Sequence, residues 1–337
     1  MRSVLVTGPG TTEVREVPRP ECGDDDVLIA VKACGICGSD AMYTAVGGIP
    51  PRQGATPLGH EPAGEVVAVG RNVTGIGEGD HVVVNPMAAI DGIIGSGGAQ
   101  GALSDLIVIR EARAGVHLRV IPPHVPWEVA ALNEPMAVAR HAVNRTSPKP
   151  GDTAVVFGAG PIGLGAVISL KLAGAAHVVA VDLVPNRLEK ALAVGADAVI
   201  NSAEEDVAAR LAELHGTARA GLVSGAKPGT DIYLDAAGAP AVLETALASA
   251  KHGATLGIVA VHKRPASVDF GRLLTTELTI VLSMGYPSEI FEVTDDLIAN
   301  WEKYALIVSD TVPFGRVREA LTLAATPGAA EKVVVTF

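Results

Sequence analysis

Three side chains in the first part of the chain could hold a metal ion: the thiol of Cys37, the imidazole of His60 and the carboxyl of Glu61. Thiolate sulfur, imidazole nitrogen and carboxylate oxygen are good zinc donors, and three protein donors with an open fourth position make a catalytic site. His60 and Glu61 are adjacent in Gly59-His60-Glu61-Pro62-Ala63-Gly64, a loop stiffened by glycine and proline from which both can reach one ion. Cys37 lies in Cys34-Gly35-Ile36-Cys37-Gly38-Ser39-Asp40. Taken alone, that C-x-x-C reads as half of a structural zinc site, as a redox pair, or as two buried cysteines packing as small hydrophobes. Cys22 is the only other cysteine, so a four-cysteine site cannot form within the chain.

A second stretch is suited to a dinucleotide. Ala154 to Phe157 is an apolar run of the kind buried on both faces of a parallel sheet, and Gly158-Ala159-Gly160-Pro161-Ile162-Gly163 follows at once. This G-x-G-x-x-G supplies glycine where the chain turns, where backbone approaches a pyrophosphate and where a helix packs on a strand. A helix from about Ile162 to Leu172 presents its positive end to that anion. A second strand, His177 to Val181, ends on Asp182, nineteen residues past Gly163. A carboxylate there accepts from the ribose hydroxyls and repels a 2′-phosphate, which favours NAD over NADP. Arg187 either binds the ribose edge or faces solvent.

The elements that must position these groups fall into two domains, the prior for 337 residues. Residues 1 to about 110 read as short strands broken by Gly and Pro, with no long helical period: Val27 to Lys32, Gly64 to Val69, His81 to Asn85 and Asp105 to Ile109. From Gly151 to Met284 strands and helices alternate as in a doubly wound sheet, with further strands at Ala198 to Ile200, Asp231 to Leu234, Ala254 to Val259 and Leu278 to Leu282. Asp235-Ala236-Ala237-Gly238 and Val259-Ala260-Val261 fall at carboxyl ends of strands, where a coenzyme rests. Gly216 to Gly229 reads as a surface loop; a helix over Ser288 to Tyr304 and a strand over Lys332 to Thr336 return the chain to the first domain. The expected division is therefore 1–143 with 285–337 and 144–284, the active site lying in the cleft between them.

Hydrophobic residues make up 48% and charged residues 19%, a globular balance. A net charge of −11 argues against nucleic acid or an anionic membrane as partner. The apolar start is too short for a signal peptide, no run reaches membrane-spanning length, and three cysteines are too few for a disulfide framework, which makes the cytoplasm the expected compartment.

Together, Gly59-His60-Glu61-x-x-Gly64-x5-Gly70-x-x-Val73, Cys37-Gly38-Ser39-Asp40 upstream and the glycine fingerprint downstream resemble the zinc-containing medium-chain alcohol dehydrogenases over nearly the full length. The resemblance implies a GroES-like, mostly β catalytic domain joined to a Rossmann domain. It implies that Cys37 and His60 bind catalytic zinc, that Ser39 relays the alcohol's proton and that Asp40 steadies the ligand histidine. Asn133-Glu134-Pro135-Met136-Ala137-Val138-Ala139-Arg140-His141-Ala142 is similar to a segment of the polyol and butanediol dehydrogenase branch in which this Glu lies beside the metal. Read physically, the same segment is a capped helix rich in Ala and Val, and both can hold. Glu61 and Glu134 are then rivals for a third protein ligand or for holding a zinc-bound water, with Glu61 favoured for the ion.

Departures from that pattern matter too. Met87 to Leu103, where many relatives carry a four-cysteine lobe, holds no cysteine, which implies a single catalytic zinc and no structural one. Met42 and Tyr43 stand where a relay histidine often does, so the proton route is followed only to Ser39. Gly285-Tyr286 replaces the Arg-Tyr of sugar-alcohol members, which counts against sorbitol itself; Tyr43, Ile93 and Tyr286 are candidate substrate contacts. The expected activity is NAD-dependent oxidation of a secondary alcohol, a diol, polyol or sugar-acid alcohol, by a homodimer or homotetramer paired through Leu278 to Leu282. A zinc-free reductase on the same scaffold and a non-catalytic coenzyme-binding protein are the alternatives.

Overall fold

The strand Val27–Gly35 is the axis of one half of the molecule, and seven of its nine residues are buried. It is flanked by Glu61–Val69 and Val333–Thr336, with Leu106–Ile109 also pairing to its first half, so both edges and both faces are covered. That explains a near-continuous apolar run, VLIAVKACG, where an exposed strand would alternate. The sheet continues outward through His81–Val84 to Leu118–Ile121 on one side and to Asp310–Pro313 on the other. Val27, Ile29, Val31, Leu58, Val66, Leu103 and Ile107 pack its core. A smaller sheet pairs Arg2–Gly8 with Thr11–Glu16 and Thr56–Pro57.

This computed structural model describes residues 1–49, 52–221, 225–326 and 328–337. The chain clusters into two units, Met1–Glu134 with Ile290–Phe337, and Pro135–Glu289. The first division falls inside the helix Asn133–Arg145, nearer the N-terminus than the expected 143/144, and the second falls at 289/290 rather than 284/285.

The middle unit is a six-stranded, all-parallel sheet in the order Ala198–Asn201, His177–Asp182, Thr153–Phe157, Ile232–Asp235, Thr255–Ile258, Thr279–Leu282. The order reverses beside Thr153–Phe157, and ligands bind at such a switch point, at the carboxyl ends of the strands. The glycine turn sits there. Gly158 has φ +93°, a left-handed conformation that a side chain resists. Gly163, in the first turn of the helix Pro161–Leu172, lies so close to the strand that a Cβ would overlap the carbonyl oxygen of Gly158. That contact sets how tightly helix and sheet pack.

Three elements differ from the sequence reading. The mostly β front half contains a helix, Gly38–Val46; only Asp40 of its nine residues is buried, so it has no apolar stripe to read. The supposed loop Gly216 to Gly229 contains a hairpin, Thr217–Arg219 against Ala226–Pro228, with 222–224 outside the described residues. The long helix expected over Ser288 to Tyr304 is two helices, Glu292–Ala299 and Trp301–Ala305. They break at Asn300, whose side-chain amide donates to the Asp296 carbonyl at 3.0 Å, in competition with the backbone. The Asn133 segment is helical, as its composition suggested.

Two outcomes follow for the middle unit. Gly163→Ala is expected to lower its stability by about 1–3 kcal/mol in urea unfolding, because the added methyl must push helix from strand. His215 lies 3.0 Å from His177 Nδ1 and 2.7 Å from Thr230 Oγ1, and burial together with His177 holds its pKa down at about 4. The folded state therefore binds fewer protons than the unfolded chain below about pH 6.5, and stability present above that pH is lost as pH falls toward 4. With this group partly solvated, a loss on the order of 1 kcal/mol is expected between pH 7 and 4.5, and it should shrink in His215→Gln when both are unfolded by urea across that range.

Candidate metal centre and coenzyme cleft

At the end of the Val27–Gly35 strand the chain turns through Ile36 and Cys37 into the helix Gly38–Val46. Asp40, with no solvent exposure, fixes that turn: Oδ2 accepts from the Cys37 amide at 2.9 Å. Its other oxygen accepts from the Gly59 amide at 3.2 Å and lies 3.7 Å from His60 Nδ1. One buried carboxylate thus joins the cysteine turn to the His60 loop. Register does the rest, since Gly35 pairs with Glu61 and Cys34 with Pro62, which sets the first residue of the Glu61–Val69 strand against the end of Val27–Gly35.

The result is a cluster in which one donor atom each of Cys37, His60 and Glu61 lie within 4.8 Å of one another. His60 is 6% and Glu61 1% exposed, with Cys37 half-buried. Glu61 Oε1 is buried with no hydrogen-bond partner, whereas His60 Nδ1 faces the Asp40 carboxylate and leaves Nε2 on the side of Ser39. Buried acceptors left without donors are costly, and a carboxylate oxygen facing a thiol and an imidazole is relieved by a cation. The donor set and the orphaned Glu61 oxygen therefore fit zinc. Burial pushes the His60 pKa down, but Asp40, Cys37 and Glu134 outweigh it and the net displacement is well upward, the sign of a site rich in negative charge.

Ser39 Oγ lies 3.4 Å from His60 Nε2. Glu134 is 9% exposed; its charge reaches both His60 and Lys332, but its oxygens are outside the 4.8 Å cluster. The two cysteines of the C-x-x-C part company. Cys34 is fully buried in the core, its Sγ donates to the Gly35 carbonyl at 3.5 Å, and burial raises its pKa well above the usual value, whereas Cys37 faces the cluster. Met87 to Leu103 is organised by Gln100, whose amide bonds Val108 N at 2.8 Å, Val108 O at 2.9 Å and Asp91 at 3.0 Å. Tyr43 reaches this segment through Ser96 at 3.4 Å and Ile93 is exposed, while Tyr286 is buried at 3%.

The sequence reading missed Lys332. It is buried, donates to the Ile36 carbonyl at 3.1 Å and ion-pairs with Glu61 Oε2, 271 positions away in the chain. Burial pushes its pKa down, yet Glu61, Cys37 and Glu134 hold it above the usual value. Its one signal in the sequence is a lysine heading an apolar final strand.

In the middle unit a cleft of about 780 Å³ is lined by Gly158, Gly160, Asp182 and Arg187, with Ser202, Glu205, Asp206 and Thr245 as well. Gly160, the N-cap of Pro161–Leu172, has open space where a side chain would be, so a ligand can approach its backbone. Pro161 and Ile162 begin the helix and Gly163 lies beneath the turn; none of the three lines the cleft, and neither does Val259, whose amide bonds the Asp235 carbonyl at 3.1 Å. Asp182 accepts from the amides of Ala159 at 2.7 Å, Leu183 at 2.7 Å and Val184 at 2.9 Å, so it also braces the glycine turn. Beyond this lining, Asp235 is fully buried and bonds His262 Nε2 at 2.7 Å, tying the ends of two neighbouring strands.

Comparison with known proteins identifies both halves of the chain. An alcohol dehydrogenase GroES-like domain matches residues 23–118 and a zinc-binding dehydrogenase domain matches 161–300. A sorbitol dehydrogenase of Bacillus subtilis (strain 168) is 34% identical over 291 residues, 80% of this chain and 78% of that one. The crystal structure of 2R,3R-butanediol dehydrogenase from Bacillus subtilis superposes with a TM-score of 0.86 at 29% identity, covering 100% of this chain and 99% of that one. An alcohol dehydrogenase from E. coli CFT073, solved with the cofactor NADH, does so with a TM-score of 0.84 at 28% identity, covering 100% and 99%. The chain belongs to the zinc-binding medium-chain alcohol dehydrogenases and is an oxidoreductase.

Proposed function

We propose that this enzyme interconverts a secondary alcohol, within a small diol, polyol or sugar-acid alcohol, and its ketone, with NAD as hydride carrier and one zinc ion held by Cys37, His60 and Glu61. The observation that carries the reading is the cluster itself: three donors of the right kinds within 4.8 Å, one of them, Glu61, with a buried oxygen lacking a partner. Its relatives' substrates, sorbitol and butanediol, support a vicinal diol. Gly285 in place of an arginine favours the smaller, uncharged members of that class.

When bound, zinc stabilises an alkoxide and NAD accepts the hydride; the protein supplies the rest. Ser39 Oγ accepts the proton from the substrate hydroxyl and passes it outward. Asp40 holds His60 from the Nδ1 side, leaving Nε2 turned toward Ser39. Glu134, whose charge acts on His60, would hold a water at the loaded site. Gly158 and Gly160 let the pyrophosphate reach backbone amides, Asp182 takes the adenosine ribose, and Arg187 lies along that edge. With Glu205 and Asp206 nearby, the cleft is acidic, which disfavours a 2′-phosphate and supports NAD over NADP. Pro161, Ile162, Gly163 and Val259 support the coenzyme from behind rather than line its cleft.

In this reading the front unit with the C-terminal segment carries the metal chemistry and the middle unit carries the coenzyme. A zinc-free reductase would have no use for the buried donors, and a purely binding role would leave Ser39 beside His60 without a task. No helix among the described residues is long and apolar enough to cross a membrane, and we place the enzyme in the cytoplasm. The edge strand Thr279–Leu282 exposes Ile280 at 40% and Leu282 at 68%, with Met284 at 87% beyond it. Unpaired amides and apolar side chains on one edge suit pairing with a second copy, as a homodimer or a dimer-based homotetramer.

Two measurements test this. Cys37→Ala and His60→Ala should lose bound zinc by metal analysis and all NAD reduction over a diol panel, while Ser39→Ala should keep its zinc and lose roughly a hundredfold in kcat/KM; a metal-free preparation with full activity would refute the reading. Ile280→Asp with Leu282→Asp should halve the mass seen by light scattering after gel filtration, and an unchanged mass would remove the edge strand as the interface.

A further inference from the structure

Lys332 takes no part in the chemistry just described, yet it is among the most deeply enclosed charges in the molecule. Its side chain is 3% exposed and that of Glu61 1%, and the two form an ion pair. A buried ammonium persists only where its partners are fixed, and here the backbone fixes them. Gly35 faces Glu61 across one strand pair and Val334 across the other, so the strand that Glu61 opens and the strand that Lys332 leads into flank a single glycine. A Cβ at Gly35 would overlap Glu61 Oε2 and lie 2.9 Å from Lys332 Cε. The missing side chain is the space the pair occupies. A second hydrogen bond, from Nζ to the Ile36 carbonyl at 3.1 Å, anchors the ammonium to the turn that leads into Cys37.

The two oxygens of Glu61 are thus unlike. Oε2 is committed to Lys332, and Oε1 is buried without a partner in a residue that belongs to the donor cluster. We propose that Lys332 is a positioning residue of the metal centre that restricts Glu61 to one donor oxygen and, as a fixed cation beside the ion, loosens zinc binding while keeping the ion electrophilic. This rests on the reading of Cys37, His60 and Glu61 as the zinc site.

The direction follows from charge. A thiolate and a carboxylate would neutralise a divalent ion, and a zinc so neutralised pulls weakly on a bound alcohol. The ammonium restores one positive charge. It repels the dication and competes for its carboxylate, and both effects weaken binding. Removing it leaves Glu61 as an uncompensated buried anion that gains more from a metal.

The test is zinc affinity, measured by chelator competition on wild type, Lys332→Met, Lys332→Arg, Glu61→Gln and the Lys332→Met/Glu61→Gln double variant. Lys332→Met should bind zinc roughly tenfold or more tightly, Lys332→Arg should return the affinity toward wild type, and the effect of Lys332→Met should shrink in the Glu61→Gln background. The rise in Tm on adding zinc should be larger in Lys332→Met than in wild type. If that variant folds only with metal, the rate at which the holoenzyme loses zinc to excess chelator replaces the equilibrium reading, and it should be slower than in wild type. Wild type that takes up no zinc would sink the site itself. Stoichiometric zinc in wild type, with equal or weaker binding or faster loss in Lys332→Met, would overturn the role given to Lys332 and leave the site standing.

Discussion

The front half of this enzyme depends on keeping several charges together out of water. Cys37, Asp40, His60, Glu61 and Lys332 are enclosed around one point, and a buried charge is tolerated only when its neighbours are fixed and opposite. Asp40 meets that requirement with the backbone amides of Cys37 and Gly59, from separate segments of the chain, and an imidazole. Glu61 meets it with Lys332 on one oxygen and, when loaded, the ion on the other. The central strand exists to make this geometry: its end carries the cysteine turn, one neighbour delivers Glu61 and the other Lys332.

The middle unit solves a different problem with less charge. Its glycine turn is shaped by sterics: a left-handed residue at Gly158, an open face at Gly160 and a contact at Gly163 that admits no methyl. Asp182 braces that turn through three amides. A carboxylate has room for about four acceptor contacts, so bracing and ribose recognition draw on the same group, and a change there would disturb both.

Much of this was legible in the sequence where local spacing carries the meaning. The run Ala154 to Asp182 gives strand, turn, helix, strand and acid in order, and the six-stranded parallel sheet follows from the alternation after it. His60 and Glu61 were readable as donors because they are adjacent, and Cys37 through the resemblance of Cys37-Gly38-Ser39-Asp40 to the family's pattern. Lys332 was not, since only the register of three strands brings it to Glu61. The helix Gly38–Val46 was missed because it is held by capping and by Asp40 rather than by an apolar stripe. Cys34 and Cys37 could not be told apart by spacing, because what separates them is which side of a strand end each faces. The break at Asn300 turned on one side-chain hydrogen bond, below the resolution of any periodicity.

The central claim, one ion bound through one sulfur with nitrogen and oxygen completing the set, is tested most directly by X-ray absorption at the zinc edge of the loaded enzyme. A single sulfur scatterer at about 2.3 Å is expected, with the remaining scatterers, nitrogen and oxygen, at about 2.0–2.2 Å. A shell of two or more sulfurs, or one with none, would contradict it.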